Sequence, residues 1–170
     1  MLVMTAGVEA RLDSEVVWLP AGYCPAVRFK NKGGNTMQMT GGCLCGDVRY
    51  SVSNDPVITS ICHCQQCQKQ TGSAFVEVVA VNEGDFSVQG KLQTFTYVGD
   101  SGRKKHSKFC PRCSTVVFIE AEGFPGRALI MGGTLDDPSW LRPTMALFCE
   151  AAQPWLASKH EMTEFPRMPT

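Results

Sequence analysis

Seven of the nine cysteines fall into three tight groups. Cys43 and Cys45 form C-x-C, Cys62, Cys64 and Cys67 form C-x-C-x-x-C, and Cys110 and Cys113 form C-x-x-C, while Cys24 and Cys149 stand apart. Thiols this close in sequence converge on one point from a single tight turn, which suits metal ligation better than a disulfide framework. Zinc is held by four tetrahedral ligands in structural sites, and thiolate suits it well. Cys110-Pro111-Arg112-Cys113 supplies one half of such a site. Cys43-Leu44-Cys45, the only remaining doublet, is the natural other half. Two such knuckles at strand ends would pin two hairpins together as a structural zinc site. Structural zinc contributes on the order of 10–16 kcal/mol of apparent binding energy to folding, more than most domains have in net stability.

Cys62, Cys64 and Cys67 leave a tetrahedral site one ligand short. A fourth ligand from His63, Cys24, Cys149 or His106 would close a second structural site. Three protein ligands and an open position would make a catalytic one. His63 lies between two of the thiols, so its ring is expected to point away from their focus. Cys149 falls in an apolar stretch, "ALFCE", that reads as strand, where cysteine behaves as a small hydrophobe. Three thiolates on a divalent ion leave a net charge of minus one and a poor Lewis acid toward water. An incoming thiol, by contrast, is a soft ligand that zinc holds as thiolate at neutral pH. The trio reads as the catalytic set and its open position as a thiol port.

The elements that must position these groups are short strands. "DVRYSV" alternates Val48, Tyr50 and Val52 on one face, and "LQTFTYV" alternates again. "SAFVEVVAV", "STVVFIEA", "RALIMGG" and "TMALFCE" are rich in β-branched and aromatic residues. One or two helical turns are expected after Cys64 and another around Pro138 to Trp140. The charge run "SGRKKHSKF" reads as a solvated turn. The fold expected is mainly β with zinc knuckles and little helix. "RFKNKGGNTMQMTGG" is polar and glycine-rich, and places a boundary near Met39. Residues 1–38 are then an N-terminal extension, expected to be disordered or foreign to the natural chain, with Met37 or Met39 as an alternative start. Residues 39–170 form the zinc-binding domain.

Composition narrows the function further. The 170 residues carry 44% apolar and 19% charged side chains, a globular balance. Lys plus Arg equals Asp plus Glu at 16 each, so no basic field attracts phosphate backbones, and nucleic acid is not an expected partner. No stretch approaches the roughly 18 apolar residues of a spanning helix, and the N-terminus lacks the basic start and apolar run of a secretory signal. No membrane partner is expected, and the protein is expected in the cytoplasm. No G-x-S-x-G, G-x-x-x-x-G-K-[ST] or H-E-x-x-H occurs.

"GGCLCGDVRY", "CHCQQCQKQTGSAF", "FCPRCSTVVF" and "GTLDDPSWLRP…QPW" resemble the successive motifs of the glutathione-dependent formaldehyde-activating enzyme (GFA) family, from about Thr40 to the C-terminus. The resemblance implies an Mss4-like β-sheet domain of the β-tent type with two zinc ions. Cys43, Cys45, Cys110 and Cys113 match the structural site, and Cys62, Cys64 and Cys67 match the site of the founding activity. That activity is a carbon–sulfur lyase reaction joining formaldehyde to the glutathione thiol, giving S-(hydroxymethyl)glutathione. Its partner is thus a small-molecule thiol such as glutathione, and a homodimer is an option. Glutathione carries two carboxylates, so cations should line its pocket. Lys69, Arg103, Lys104, Lys105 and His106 are candidates, and Thr71, Gly72 and Ser73 offer hydroxyl or backbone donors. Trp140 and Trp155 could wall the pocket, with Arg142 beside them. His63, His106 or water would serve as proton donor. Two other roles compete: a non-catalytic zinc module that binds a protein, and a metal- or thiol-handling protein. One departure is visible. The family usually has glycine after the second knuckle cysteine, where this chain has Ser114, so local strain is expected there.

Overall fold

A computed structural model describes residues 39–143 and 145–157 and, upstream, the backbone of two strands, β1 (Val8–Leu12) and β2 (Glu15–Leu19). These two pair antiparallel, Val8 opposite Leu19. The rest of the N-terminal extension, Cys24 included, lies outside the described residues, as does the segment 158–170. In chain order there follow β3 (Met39–Gly42), β4 (Arg49–Val52), β5 (Ile58–Cys62), the helix α1 (Gln65–Thr71), β6 (Val76–Asn82), β7 (Phe86–Gln89), β8 (Gln93–Val98), β9 (Lys104–Phe109), β10 (Val116–Ala121), β11 (Arg127–Met131) and β12 (Met145–Leu147). The chain is mainly β, as its alternating runs require.

A three-stranded sheet, β3-β4-β7, packs against a seven-stranded sheet, β12-β5-β6-β11-β10-β9-β8. All pairs are antiparallel except β12 with β5. Between the sheets lie Val48, Val52, Val79, Val81, Val117 and Ile130, all fully buried. Phe86 bridges the layers, 5.6 Å from the Tyr50 ring and 4.8 Å from that of Phe118. The opposite face of the large sheet buries a second cluster, Cys62, Cys64, Cys67, Val76, Ile119 and Met131, beneath α1. Full burial of a valine or isoleucine contributes about 1.5–3 kcal/mol, and both faces of β6, β10 and β11 gain from it.

The segment after Cys64 is helical for two turns because both ends are capped. The Cys64 sulfur accepts the Cys67 N–H at the start, and Gly72, at φ +66°, donates its N–H back to Gln68 at the end. Three expectations need correction. Pro138 to Trp140 forms a turn closed by the Leu141 N–H on the Pro138 carbonyl at 2.9 Å, not a helix. The strand read through Cys149 stops at Leu147, because Phe148 turns left-handed (φ +55°) and Cys149 begins a 3-10 turn. The charge run is the internal strand β9, bonded to β8 and β10. No helix of the described residues is long and apolar enough to cross a membrane.

Candidate metal centres

The first cysteine group joins the two sheets. Cys43 and Cys45 sit in the turn from β3 to β4, where the Gly46 N–H bonds the Cys43 carbonyl at 3.1 Å. Cys110 and Cys113 sit in the turn from β9 to β10, with the Ser114 N–H on the Cys110 carbonyl at 2.9 Å. Each turn aims both thiols inward. The four sulfurs lie within 4.8 Å of one another, with Cys43 to Cys45 at 3.5 Å and Cys45 to Cys110 at 3.7 Å. Zinc–sulfur bonds of about 2.3 Å at tetrahedral angles put sulfurs about 3.8 Å apart. The donor set and its spacing therefore fit a four-thiolate metal site. Two further contacts align the knuckles, the Leu44 N–H on the Thr115 hydroxyl (3.3 Å) and the Arg112–Asp47 ion pair (2.9 Å). The Thr115 hydroxyl, and then its backbone N–H, hold the Cys113 thiol down at about 5, ready to ligate. Ser114 takes φ +60°, the left-handed conformation its family position implies.

The second group is built differently. Cys62 ends β5, Cys64 caps α1, and Cys67 lies in its first turn, so one strand-to-helix junction delivers three sulfurs to one place. They lie within 4.8 Å of one another, and all are buried. The Cys67 thiol, hydrogen-bonding to Cys62, holds that thiol at about 6, and Cys67 is correspondingly pushed up. Among the described residues no fourth His, Cys, Asp or Glu joins the trio. His63 is buried with its ring tilted against Phe75 at 5.8 Å. Cys149 lies apart from the group. His106 bonds the Thr96 hydroxyl at 2.9 Å.

That bond places His106 on the wrong face of β9. Side chains alternate along a strand, and Ser107, fully buried, is held by Gln70 of α1. Lys105, Ser107 and Phe109 therefore face α1 and the trio, and His106 faces away. Lys105 stands over the Tyr97 ring at 6.0 Å. Lys69 is exposed in the last turn of α1. Thr71 spends its hydroxyl on the helix end, donating to the Cys67 carbonyl (2.8 Å) and accepting the Ser73 N–H (3.3 Å), and Gly72 closes that end. Arg103 and Lys104 are exposed before and at the start of β9, Trp155 is exposed, and Trp140 packs against the inter-sheet core. Arg142 donates to the Ser139 carbonyl at 2.7 Å.

Sequence reasoning missed Gln70, Tyr97 and Ser107. The Tyr97 hydroxyl donates to Gln70 Oε1 at 3.3 Å, and Gln70 Nε2 donates to the Ser107 hydroxyl. This chain of polar groups runs between α1 and the sheet beside the trio. Burial, then the charge of Cys67, pushes the Tyr97 phenol up to about 12. Grooves flank α1 on both sides. One, of about 510 Å³, is walled by Thr71, Phe75, Val76, Glu77, Val116 and Met131 among others. The other, of about 390 Å³, is walled by Gln66, Lys69, Gln70, Phe95, Tyr97 and Val98. Gln70 belongs to both.

Comparison with known proteins places this geometry in context. The family model of the glutathione-dependent formaldehyde-activating enzyme matches residues 38–151. A crystal structure of a Rhodobacter sphaeroides protein superposes with a TM-score of 0.50 at 19% identity, over 64% of this chain and 99% of that one. At that identity the likeness speaks for the fold alone. Comparison with curated proteins gave no match. With its motifs spanning most of the described residues and both cysteine groups assembled in space, the chain belongs to the glutathione-dependent formaldehyde-activating enzyme family.

Proposed function

We propose that this protein is a zinc-dependent carbon–sulfur lyase that joins a small thiol, glutathione or a relative, to formaldehyde or another small electrophile, as an S-(hydroxymethyl)glutathione synthase does. One observation carries the reading: three buried sulfurs share a focus, and no fourth ligand of the usual kinds among the described residues reaches it. The family match supports a glutathione- and formaldehyde-related role. Cys43, Cys45, Cys110 and Cys113 hold the structural zinc in this proposal, and Cys62, Cys64 and Cys67 hold the second. Bound there, zinc supplies a soft Lewis acid that lowers the pKa of an incoming thiol.

The chain's own contribution is positioning. Both helix caps fix Cys64 and Cys67, and the Cys62 backbone is locked opposite Val76 of β6. Val76, Ile119 and Met131 pack round the sulfurs and hold them in place. In the reaction a carbon–sulfur bond forms, the thiol proton leaves, and the carbonyl oxygen gains a proton. Uncatalysed addition is already easy, so the gain comes from holding sulfur and carbonyl together. With His106 turned away, water entering from the grooves is the simplest proton source. The working unit in this reading is residues 39–170, acting in the cytoplasm.

Metal analysis with NMR exchange spectroscopy tests this. Zinc-loaded protein should hold two zinc ions per chain and accelerate hemithioacetal formation from formaldehyde and glutathione. Cys64→Ser should keep the fold and one zinc but lose the acceleration. Equal exchange rates with and without wild-type protein would end the catalytic claim.

A further inference from the structure

Two of the three trio thiols, Cys64 and Cys67, belong to α1 and its cap, whereas the third, Cys62, ends β5. Their convergence within 4.8 Å therefore depends on how α1 sits on the sheet. A helix of two turns has too few hydrogen bonds to hold itself in water, so ties to other elements set its seat. The four-cysteine site differs here, since each of its turns closes on its own backbone bond.

The ties are three amides. Gln66 and Gln70, four residues apart, share a helix face and reach the β8 and β9 side. Gln66 donates to the Val98 carbonyl at 2.9 Å. Gln70 donates to the Ser107 hydroxyl of β9 and accepts from the Tyr97 hydroxyl of β8 at 3.3 Å. Gln68 points the other way, donating to the Ala151 carbonyl at 2.9 Å and accepting from Gln153 at 2.7 Å.

Gln70 differs from the other two in where its bonds end. Ser107 is 1% exposed. It stands opposite Ile119 of β10, which packs in the cluster around the sulfurs. A hydroxyl so buried is rarely left unpaired, so the amide that answers it has one seat. Both ends of that amide are engaged, which fixes its rotation as well as its reach. Gln70 also follows Cys67 by three positions and so lies beside it on the helix surface. A shift of the amide on the sheet carries Cys67 with it.

We infer that Gln70 is the positioning residue of the second metal centre: seated between Ser107 and Tyr97, it fixes α1 so that Cys64 and Cys67 meet Cys62 at one focus. The inference rests on the reading of the trio as a metal site. With three protein ligands, such a site has one bond fewer than a closed one to impose its shape, so more of that shape must come from the protein around it.

Cobalt(II) titration of the full chain carrying one equivalent of zinc tests this, because the thiolate charge-transfer and d–d bands of cobalt report ligand number and geometry. Wild type should bind one cobalt at the trio, a signal that Cys64→Ser removes. Gln70→Leu should weaken that cobalt about ten- to hundredfold, the usual effect of losing a group that orients metal ligands, and shift its d–d bands. It should also lower Tm, because the buried Ser107 hydroxyl loses its donor. Gln70→Leu with Ser107→Ala removes both partners, a change close to neutral for stability. In that double variant Tm should return toward wild type while the cobalt stays weakened and its bands stay shifted. The double variant carries the comparison by itself where Gln70→Leu alone does not fold. Wild-type affinity and bands in Gln70→Leu would overturn the inference. So would their recovery along with Tm in the double variant, which would leave Gln70 a role in stability alone. Failure of the metal reading looks different: wild type itself would then take up no cobalt at the trio, and the inference would fall with that reading.

Discussion

Ser114 provides the sharpest test of how the knuckles are built. A side chain at φ +60° costs about 1–2 kcal/mol through the clash of Cβ with the following carbonyl. Glycine removes that clash, but its unfolded state is freer by about 0.5–1 kcal/mol. The serine is exposed, and its hydroxyl makes no hydrogen bond among the described residues, so nothing else is lost. The knuckle bond from residue 114 to the Cys110 carbonyl is a backbone bond and survives. Ser114→Gly should therefore stabilise by about 0.5–1 kcal/mol, a rise in Tm of roughly 1–4 °C for a domain of this size. Asn tolerates the left-handed region and should fall between Gly and Ser. Val, β-branched, should cost about 1 kcal/mol or more relative to Ser. Denaturant unfolding at buffered free zinc reads these differences without confounding them with metal supply. Val matching Ser, or Gly falling below it, would refute the left-handed assignment and the strain built on it.

Two other perturbations follow from the packing of β3 against the loop after β11. A Cβ at Gly41 would run into the Tyr50 hydroxyl and the Thr134 carbonyl. Gly41→Ala should cost about 1–3 kcal/mol as an overpacking change, read by thermal unfolding, and an unchanged Tm would contradict that close approach. The Asp136 carboxyl is held below its ordinary range, first by its hydrogen bond from Arg49 and then by that from Thr40. The ion pair's contribution is present above the unfolded carboxylate pKa of about 3.9 and is lost as pH falls through the lowered folded value. The stability gap between wild type and Asp136→Asn should accordingly be open at pH 7 and close below about pH 4. The gap between the two proteins is the quantity to follow, since thiolate protonation lowers both curves together.

Both cysteine groups were legible in the sequence because knuckle ligands are neighbours in the chain, so their grouping survives without knowledge of the fold. The strands β4, β6, β8, β10 and β11 were legible for the usual reason, a run of alternating or β-branched residues. β9 was not. Its trio-facing positions are Lys105, Ser107 and Phe109, and Ser107 is buried only because Gln70 satisfies it from another element. Charge and alternation therefore pointed the wrong way. β5, "ITSIC", hides similarly: Thr59 and Ser60 are both buried, Thr59 donating to the Arg142 carbonyl at 2.6 Å. A strand covered on both faces shows no period of two. The same blindness hid Gln70 and Tyr97, whose meaning lies in a pairing between helix and sheet edge that no spacing encodes.

The parallel pairing of β12 with β5 sets an order in time. The four-cysteine knuckles need no ligand or aligning contact beyond Thr115, so they can close while the remainder of the chain is still being made. The trio is finished only when the chain returns. The Leu147 carbonyl then receives the His63 N–H at 3.0 Å, and Gln68 is gripped by the Ala151 carbonyl and by Gln153. On the proposed reading, the nascent chain would complete its four-cysteine site well before the trio is shaped to hold an ion. On that reading the three sulfurs would lie open to soft metals and oxidants until β12, the last strand of the described residues, pairs with β5.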